Sequence, residues 1–431
     1  MSQPPRPVVP LLGEVQLGPR AAEALATELI RQTGPKAALL VAVTAQSAVL
    51  AAAIGALVPG DTLTLLPLAA AGDELRAHVA TLGPWVAQRV RVVDALGEAE
   101  PADVAVLAEP LGGSAEGTRS YLEELGKHLA AGGVLSVAVL AGPGFASGAG
   151  EELRRQAAIC GVGTDLVLRN TPPVRVHRLR YTPAQTAAAT RLSPARRPSS
   201  VILTRGMNID SNGVAAAGIA LGLAAVTRLA RPRKSRLWLL PALAAVPVAA
   251  FFRDPNRDIP EDPGAVVAAS DGTVLSVERR TDPHLSLTHS GEPDAAQAEL
   301  PAGDFLRVAV FLSVLDVHVN RSPVAGRVVA HWVEDGGFAP AKKPAAEHNV
   351  AAYTVLDTEH GRVVVVQRTG LIARRIVHRA PVGSLLARGE RFGLIRFGSR
   401  TDVYLPAEAA DAKVAPGDKV TGGATIIARW R

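Results

Sequence analysis

A glycine followed by a serine, Gly398-Ser399, stands between two strand-like runs near the end of the chain, Phe392–Phe397 and Thr401–Leu405. A hydroxyl held in this way can attack the carbonyl of the preceding glycine, because glycine lets the backbone distort at low steric cost. The attack also needs a base that takes the hydroxyl proton. Tight turns favour the same two residue types, so the dipeptide alone is typical of an ordinary turn. The surrounding sequence decides between the two interpretations.

The composition is that of a folded protein with more than one domain. The chain has 431 residues, 48% hydrophobic and 20% charged, which is enough for two or three cores. Its one cysteine, Cys160, excludes an intramolecular disulfide framework and a cysteine-based zinc cluster, and we expect no metal. The net charge of +6 is compatible with binding to nucleic acid or to anionic lipid. The arginines are scattered except in Arg228–Arg236, beside apolar runs, which favours lipid and argues against nucleic acid.

Residues 1–182 alternate helical and strand-like segments, the pattern of a doubly wound α/β domain. Predicted helices cover 20–32, 45–57, 73–82 and 120–131, and predicted strands cover 37–43, 62–66, 90–93, 104–107 and 134–140. Their order resembles the class I methyltransferase fold, which is Rossmann-like. However, the turn after the first strand, Thr44–Ser47, has no glycine, and no acidic residue ends the second strand. We therefore expect this domain to keep the fold without its cofactor, S-adenosylmethionine.

Residues 183–210 are rich in Pro, Ala, Arg, Ser and Thr, which is the composition of a linker. Within residues 211–252, two apolar stretches follow at 214–230 and 237–252, joined by the basic segment Arg231–Arg236. Each is shorter than the ~20 residues that cross a bilayer untilted, so a pair of buried core helices is one interpretation. The basic loop and the aromatic residues flanking the second stretch favour a membrane hairpin or a shallow interfacial pair, with its topology open.

Residues 253–431 have the pattern of an antiparallel, mainly-β domain, because short β-branched runs alternate there with Gly, Pro and Asp. Several blocks resemble, in order and in spacing, phosphatidylserine decarboxylase of the short bacterial type. These blocks are Phe251–Arg257, Ala268–Val274, Phe311–Gly326, Gly370–Val377 and Phe397–Ser399. The resemblance covers residues 200–431 and leaves the α/β domain outside.

This resemblance implies a self-processing carboxy-lyase. Ser399 Oγ would attack the Gly398 carbonyl, the chain would break between residues 398 and 399, and Ser399 would become a covalent pyruvoyl cofactor. Through a Schiff base with this group, phosphatidylserine would become phosphatidylethanolamine and CO2. The chains 1–398 and 399–431 would stay associated. The enzyme would be a peripheral or monotopic protein of the cell membrane, with its active domain facing the cytoplasm.

The family pattern also points to Asp271 and His318, which with Ser399 would form an Asp-His-Ser arrangement. Both residues have an ordinary interpretation as well. An Asp-Gly pair is a turn signal, and an isolated strand histidine is usually a packed or solvated residue.

One position departs from the family pattern. Longer-type members carry a second histidine three residues after the first, and this chain has Arg321 at that place. His318 would then serve both self-cleavage and proton delivery, or a remote group such as His348 or His378 would contribute.

Two alternative functions are open. The first is a non-enzymatic, membrane-anchored β module, because the turns at 271–274 and 323–326 also resemble hairpins of lipoyl-type carrier domains. A carrier would need a lysine at a hairpin tip, and neither turn contains one. The second is a bifunctional protein whose N-terminal domain is an active methyltransferase, which the missing glycine-rich turn argues against.

Overall fold

A computed structural model of the chain describes residues 15–68, 71–142, 145, 147–194, 200–204, 207–230, 235–281, 304–371, 375–396 and 398–431. Some predicted features lie outside the described residues, namely part of the linker at 195–199 and 205–206, most of the basic segment at 231–234, residues 372–374, and Phe397. The chain divides into two compact units, Met1–Arg196 with Gly383–Leu385 and Arg197–Val382 with Leu386–Arg431.

The first unit is built on one mixed sheet. Its strands are β1 Ala37–Val43, β2 Thr62–Pro67, β3 Val90–Val92, β4 Ala102–Leu107, β5 Leu129–Leu140, β6 Gly161–Val167 and β7 Val174–Leu179. Their order across the sheet is β3-β2-β1-β4-β5-β7-β6. Neighbours from β3 to β5 are parallel, and β7 runs antiparallel to both β5 and β6. This is the strand order of the class I methyltransferase fold, so the predicted α/β class is confirmed.

Helices cover both faces of this sheet. They are α1 Pro19–Leu25, α2 Thr27–Arg31, α3 Ala48–Gly55, α4 Gly72–Thr81, α5 Pro84–Ala87, α6 Ala115–Gly126 and α7 Gly148–Cys160. Leu40 and Leu39, adjacent in β1, belong to two different hydrophobic clusters, as expected of a strand buried on both faces. The predicted helix at 120–131 was placed wrongly. It starts earlier because Ser114 Oγ accepts the N–H of Gly117 at 3.1 Å and caps α6, and residues 129–131 belong to β5.

Two apolar helices lie near the start of the second unit. The linker segment before them contains a 3-10 helix at Thr186–Arg191 and the hairpin of β8 (Ser200–Thr204) and β9 (Met207–Asp210). The helices are α8 Ser211–Ala230 and α9 Leu239–Phe251, and they contact each other. By length and composition α8 could cross a membrane, and 11% of its apolar window is buried.

The rest of the second unit is antiparallel β structure, so the predicted mainly-β class is confirmed. Its strands are β10 Ala265–Val267, β11 Gly272–Arg280, β12 Phe305–Leu312, β13 Val319–Arg321, β14 Gly326–Glu334, β15 Ala351–Thr358, β16 Gly361–Arg368, β17 Ile376–His378, β18 Leu385–Leu386, β19 Arg391–Ile395, β20 Ser399–Pro406, β21 Ala410–Ala412, β22 Lys419–Val420 and β23 Ile426–Trp430. The strand orders are β18-β14-β15-β16-β20-β12-β11-β22, β13-β19-β17 and β10-β23-β21. One hydrophobic cluster joins side chains from all three sheets.

Candidate active site

Ser399 is the first residue of β20 and pairs with Leu312, the last residue of β12. Its side chain is completely buried, and within the described part of the chain its Oγ has no hydrogen-bond partner. Gly398, directly before it, has φ +58°, a left-handed value that glycine adopts without steric penalty. An added Cβ at Gly398 would meet no atom within 4 Å, so the backbone angle, not space, favours glycine there.

The carbonyl group of Gly398 packs against the backbone of Gly370. A Cβ built on Gly370 would lie 1.9 Å from the Gly398 oxygen and 3.0 Å from its carbonyl carbon. Gly370 is therefore a residue of this site that the sequence did not reveal. It lies in one of the resembling blocks, but nothing in a single sequence indicates contact with a carbonyl so far along the chain.

His318 lies just before β13, and its backbone carbonyl accepts the N–H of Ile395 at 3.2 Å. Its ring Nδ1 is 2.8 Å from the carbonyl oxygen of Asp316. Because a carbonyl can only accept, Nδ1 carries the proton and Nε2 keeps a lone pair. Among the described residues the buried Nε2 has no partner, and the ring packs 4.2 Å, between centroids, from Phe251. Burial lowers the pKa of His318 to about 4, against the opposing effect of the Asp316 carbonyl, so the ring is neutral at pH 7.

The fold brings His318 and Ser399 to one corner. In the large sheet β12 pairs with β20, and in the small sheet β13 pairs with β19. Leu312 pairs with Ser399 and Val319 pairs with Leu394, so the ends of these paired strands lie beside each other. His318 directly precedes β13 and Ser399 begins β20, so both residues lie where the chain passes from one of these sheets to the other. In the structure as described, no hydrogen bond joins the two side chains.

Asp271 lies directly before β11, at the other edge of β12. Its Oδ2 is 2.6 Å from Arg257 Nη2, and its Oδ1 accepts the N–H of Gly422 at 2.8 Å. The neighbouring Ser270 Oγ is 2.6 Å from Thr401 Oγ1. Residues two apart on a strand share a face, so Thr401 projects to the same side of β20 as the site serine. Asp271 therefore lies near this face, although its described hydrogen bonds reach neither the serine nor the histidine.

The other candidate side chains have different surroundings. Arg321 is buried and donates to Asp254 Oδ1 at 3.3 Å and to two backbone carbonyls, and burial lowers its pKa to about 9. His378 stacks on His331 with ring centroids 3.5 Å apart, and its Nε2 is 2.5 Å from the carbonyl oxygen of Ala380. His348 is exposed at the end of a 3-10 helix. Arg321 thus binds an acidic partner, Asp254, and no described hydrogen bond joins it to the serine.

The sequence of the second unit matches known proteins. A sequence profile of phosphatidylserine decarboxylase matches residues 246–428. The phosphatidylserine decarboxylase proenzyme of Symbiobacterium thermophilum is 46% identical over 181 residues, which are 42% of this chain and 77% of that protein. The proenzyme of Mycobacterium sp. strain JLS is 39% identical over 250 residues, 54% of this chain and 98% of that protein. The chain belongs to the phosphatidylserine decarboxylase family.

Membership of this family confirms the predicted function, that of a carboxy-lyase made as a proenzyme, and the predicted pyruvoyl cofactor. It also implies phosphatidylserine as substrate and an association with membranes. The main part of the first unit, residues 1–196, lies outside the matched region. Among solved structures it is similar to precorrin-6y C5,15-methyltransferase from Geobacter metallireducens, with 14% identity and a TM-score of 0.29, covering 40% of this chain and 92% of that one.

Proposed function

We propose that this phosphatidylserine decarboxylase makes its cofactor from Ser399 by cleaving its own chain. Ser399 Oγ attacks the carbonyl carbon of Gly398, the peptide C–N bond breaks, and an ester forms. Loss of the Ser399 Cα proton then breaks the Cβ–Oγ bond and releases the Gly398 carboxylate. The dehydroalanine left at 399 takes up water and loses ammonia, which gives the pyruvoyl ketone.

The main support for this proposal is that the buried Ser399 hydroxyl directly follows a glycine with a left-handed backbone conformation. A buried hydroxyl without a partner costs free energy, and a role of this hydroxyl in self-cleavage accounts for that cost. The residues also fit the finished group, because position 399 is completely buried and its side chain contacts no charged partner among the described residues. The strand that begins at 399 pairs with β12 on one side and β16 on the other, so we expect chains 1–398 and 399–431 to stay associated after cleavage.

We assign the proton transfers to His318. Its Nε2 has a lone pair and can accept the Ser399 hydroxyl proton. Because burial lowers the pKa of this ring, the imidazolium that forms is a ready donor, and the same nitrogen can return a proton to carbon after CO2 leaves. We retain Asp271 as the third site residue, because Arg257 and the N–H of Gly422 fix its carboxylate near the face that carries Ser399.

The pyruvoyl group, once formed, supplies the electron sink for the pair released with CO2. The chain's own residues keep water away from this position, since Ser399 and His318 are both buried. They also bring the site to the lipid. Phe251, the last residue of α9, contacts the His318 ring, so the apolar helical pair ends at the site. We propose a peripheral or monotopic protein of the cell membrane with this site on the cytoplasmic side.

The decisive experiment is the intact mass of the purified protein and of Ser399→Ala. The wild type should give two chains, 1–398 and 399–431, the second with a pyruvoyl-blocked N-terminus. The variant should remain one full-length chain without decarboxylase activity. An uncleaved wild-type protein would rule the proposal out.

For the first unit we propose a methyltransferase fold that binds no S-adenosylmethionine. The turn after β1 is occupied by its own polar groups: Ser47 Oγ accepts the N–H of Val49 at 3.2 Å, and the Gln46 amide donates to Glu74. Calorimetric titration of the whole protein with S-adenosylmethionine should show no binding heat. Saturable binding would instead support a bifunctional protein.

A further inference from the structure

Asn320 and Gln367 form a buried amide pair. Both side chains are completely buried, and Gln367 Nε2 donates to Asn320 Oδ1 at 2.7 Å. Each amide still has one polar atom, Asn320 Nδ2 and Gln367 Oε1, for which the described residues offer no partner. If both amides are turned over, the pair still bonds and still leaves one donor and one acceptor free. Two buried polar atoms of one side-chain pair that lack a partner among the described residues are unusual in a folded interior and indicate a polar ligand.

The amide pair lies beside the position of the cofactor. Gln367 is directly opposite Thr401 in the β16–β20 ladder, so its side chain shares a face with Thr401 and with Ser399 two residues earlier. The diagonal separation in such a ladder is about 7–8 Å, which long side chains span. Asn320 lies in β13, which His318 directly precedes, and its amide bonds to Gln367. The amide pair therefore lies on the buried face that carries Ser399 and next to the segment that carries His318.

A glycine keeps room for this pair. Gly393 is opposite Asn320 in the β13–β19 ladder, and a Cβ there would lie 3.2 Å from Gln367 Nε2 and 2.5 Å from the carbonyl oxygen of Val377. The space beside the two amides is therefore present because residue 393 has no side chain.

The cationic side chains of β16 and β20 lie on the face of the sheet opposite to the amide pair. Arg368 and Arg400, which alternate with Gln367 and Ser399, project to the opposite face and bind Asp402. A carboxylate held by a guanidinium would be stabilised strongly before it leaves as CO2, which raises the barrier. A neutral amide can orient the carboxylate with less stabilisation of the ground state.

We propose that Asn320 and Gln367 bind the serine headgroup of the substrate. The free amide N–H donates to the carboxylate, and the free amide carbonyl accepts from the headgroup amine. This rests on the proposed function, since it places the headgroup against the group made from Ser399. It assigns the selectivity for serine over ethanolamine to this pair, because the ethanolamine headgroup has no carboxylate for the amide N–H.

The test is the double variant Asn320→Leu/Gln367→Met, which removes both amides at similar volume and so leaves no buried group unpaired. Cleavage is followed by intact mass, and inhibition of the cleaved enzyme is measured with glycerophosphoserine and with glycerophosphoethanolamine. Wild type should prefer glycerophosphoserine, and the double variant should still cleave but lose about 10- to 100-fold of that preference, the range expected for a hydrogen bond to a charged group. Its KM for phosphatidylserine should rise more than its kcat falls.

Asn349→Leu is the matched control. Asn349 is equally a buried asparagine, but its amide is bonded to the backbone of Ala339 and Thr369. Its loss should lower the melting temperature and leave the inhibition ratio unchanged.

A double variant that cleaves and keeps the wild-type inhibition ratio would overturn the headgroup assignment while the proposed function stands. An uncleaved wild type would instead remove the proposed function itself. If the double variant stays uncleaved, the same ratio is measured on Asn320→Asp, which keeps the volume and places a negative charge against the carboxylate. A wild-type ratio there overturns the assignment, and so does failure of both variants to cleave, since the pair would then serve self-cleavage.

Discussion

At the scale of single residues, the geometry around Gly398 depends on the absence of a side chain at Gly370. An alanine Cβ there would overlap the Gly398 oxygen, at 1.9 Å, so Gly370→Ala must displace the carbonyl that Ser399 attacks. A shift of about 1 Å in a reacting group can cost ~100-fold in rate, and we expect self-cleavage to slow by at least that factor. The measurement is the appearance of chain 399–431 after cell-free synthesis.

Gly337→Ala is the control for that substitution, because a Cβ at Gly337 would meet its nearest atom at 3.7 Å. It should cleave at the wild-type rate. Normal cleavage of Gly370→Ala, with a native melting temperature, would contradict the role given to the glycine.

The pH dependence of cleavage is a second test at this scale. Burial lowers the pKa of His318 to about 4, so its Nε2 is free to accept a proton throughout the neutral range. Self-cleavage should therefore lose rate on acidification with a midpoint near pH 4, not near the ~6.5 of a solvated histidine. Rates are taken from newly synthesised precursor between pH 3 and 8, with His360→Gln as a control whose profile should match the wild type.

The lowered pKa of His318 also determines how the stability of the fold depends on pH. The unfolded chain binds a proton at His318 near pH 6.5, and the folded chain only near pH 4. Between these values the unfolded state holds more protons, so the fold loses stability as the pH falls. A cleavage midpoint near 6.5 would show that another group, or a solvated ring, takes the serine proton.

At the scale of elements, the side chains of β20 alternate between two faces of the sheet that have different roles. Ser399 and Thr401 project to the face of the site. Asp402 projects to the other face, where it is completely buried and binds Arg307 at 3.2 Å, Arg368 at 3.1 Å and Arg400 at 2.6 Å. This ion cluster holds β12, β16 and β20 together and thereby fixes the strand that begins with the serine.

Asp402→Asn should therefore destabilise the protein strongly. It removes the carboxylate shared by three buried guanidinium groups, and breaking a buried pair on one side costs about 3–5 kcal/mol. Denaturant unfolding is best compared in the Ser399→Ala background, so that one uncleaved chain unfolds in each sample. Asp411→Asn is the control, because its pair with Arg431 is exposed and its loss should change little. Equal unfolding midpoints for the two substitutions would contradict the structural role of the cluster.

Elements were more predictable than contacts. The alternation of helices and strands in the first unit and the β-branched runs of the second follow from local patterns, and both fold classes could be predicted from them. The helix α7 and the strands β6 and β7 were not predicted, because α7 starts in a glycine-rich segment and β6 is half exposed. Contacts such as Asn320 with Gln367, or Gly370 with Gly398, depend on how segments that are far apart in the sequence align in the fold. A single sequence does not show this alignment.

At the scale of the whole molecule, the site has to meet a lipid that stays in its bilayer. The helices α8 and α9 expose a set of large apolar side chains, namely Ile219, Leu221, Leu223, Leu229, Leu240, Leu243 and Val246. α9 ends at Phe251, on the ring of His318. The apolar helical pair of the second unit thus exposes a surface for membrane attachment and also contacts His318. An experiment can test membrane attachment separately from the chemistry.

The double substitution Ile219→Asp/Leu223→Asp tests this separation, because the two residues lie one turn apart on α8 and are 67% and 56% exposed. Burying two such side chains contributes about 3–6 kcal/mol, so binding to phosphatidylserine-containing vesicles should fall at least ~10-fold in a flotation assay. Self-cleavage and turnover of a short-chain, monomeric phosphatidylserine should stay at wild-type levels, since neither step needs the bilayer. Leu166→Asp/Leu168→Asp places the same two charges on exposed leucines of the first unit, which are 46% and 70% exposed, and should bind vesicles normally. Unchanged flotation of the double variant would mean that α8 is not the attachment surface, and the lipid would then have to reach Ser399 by another face of the second unit.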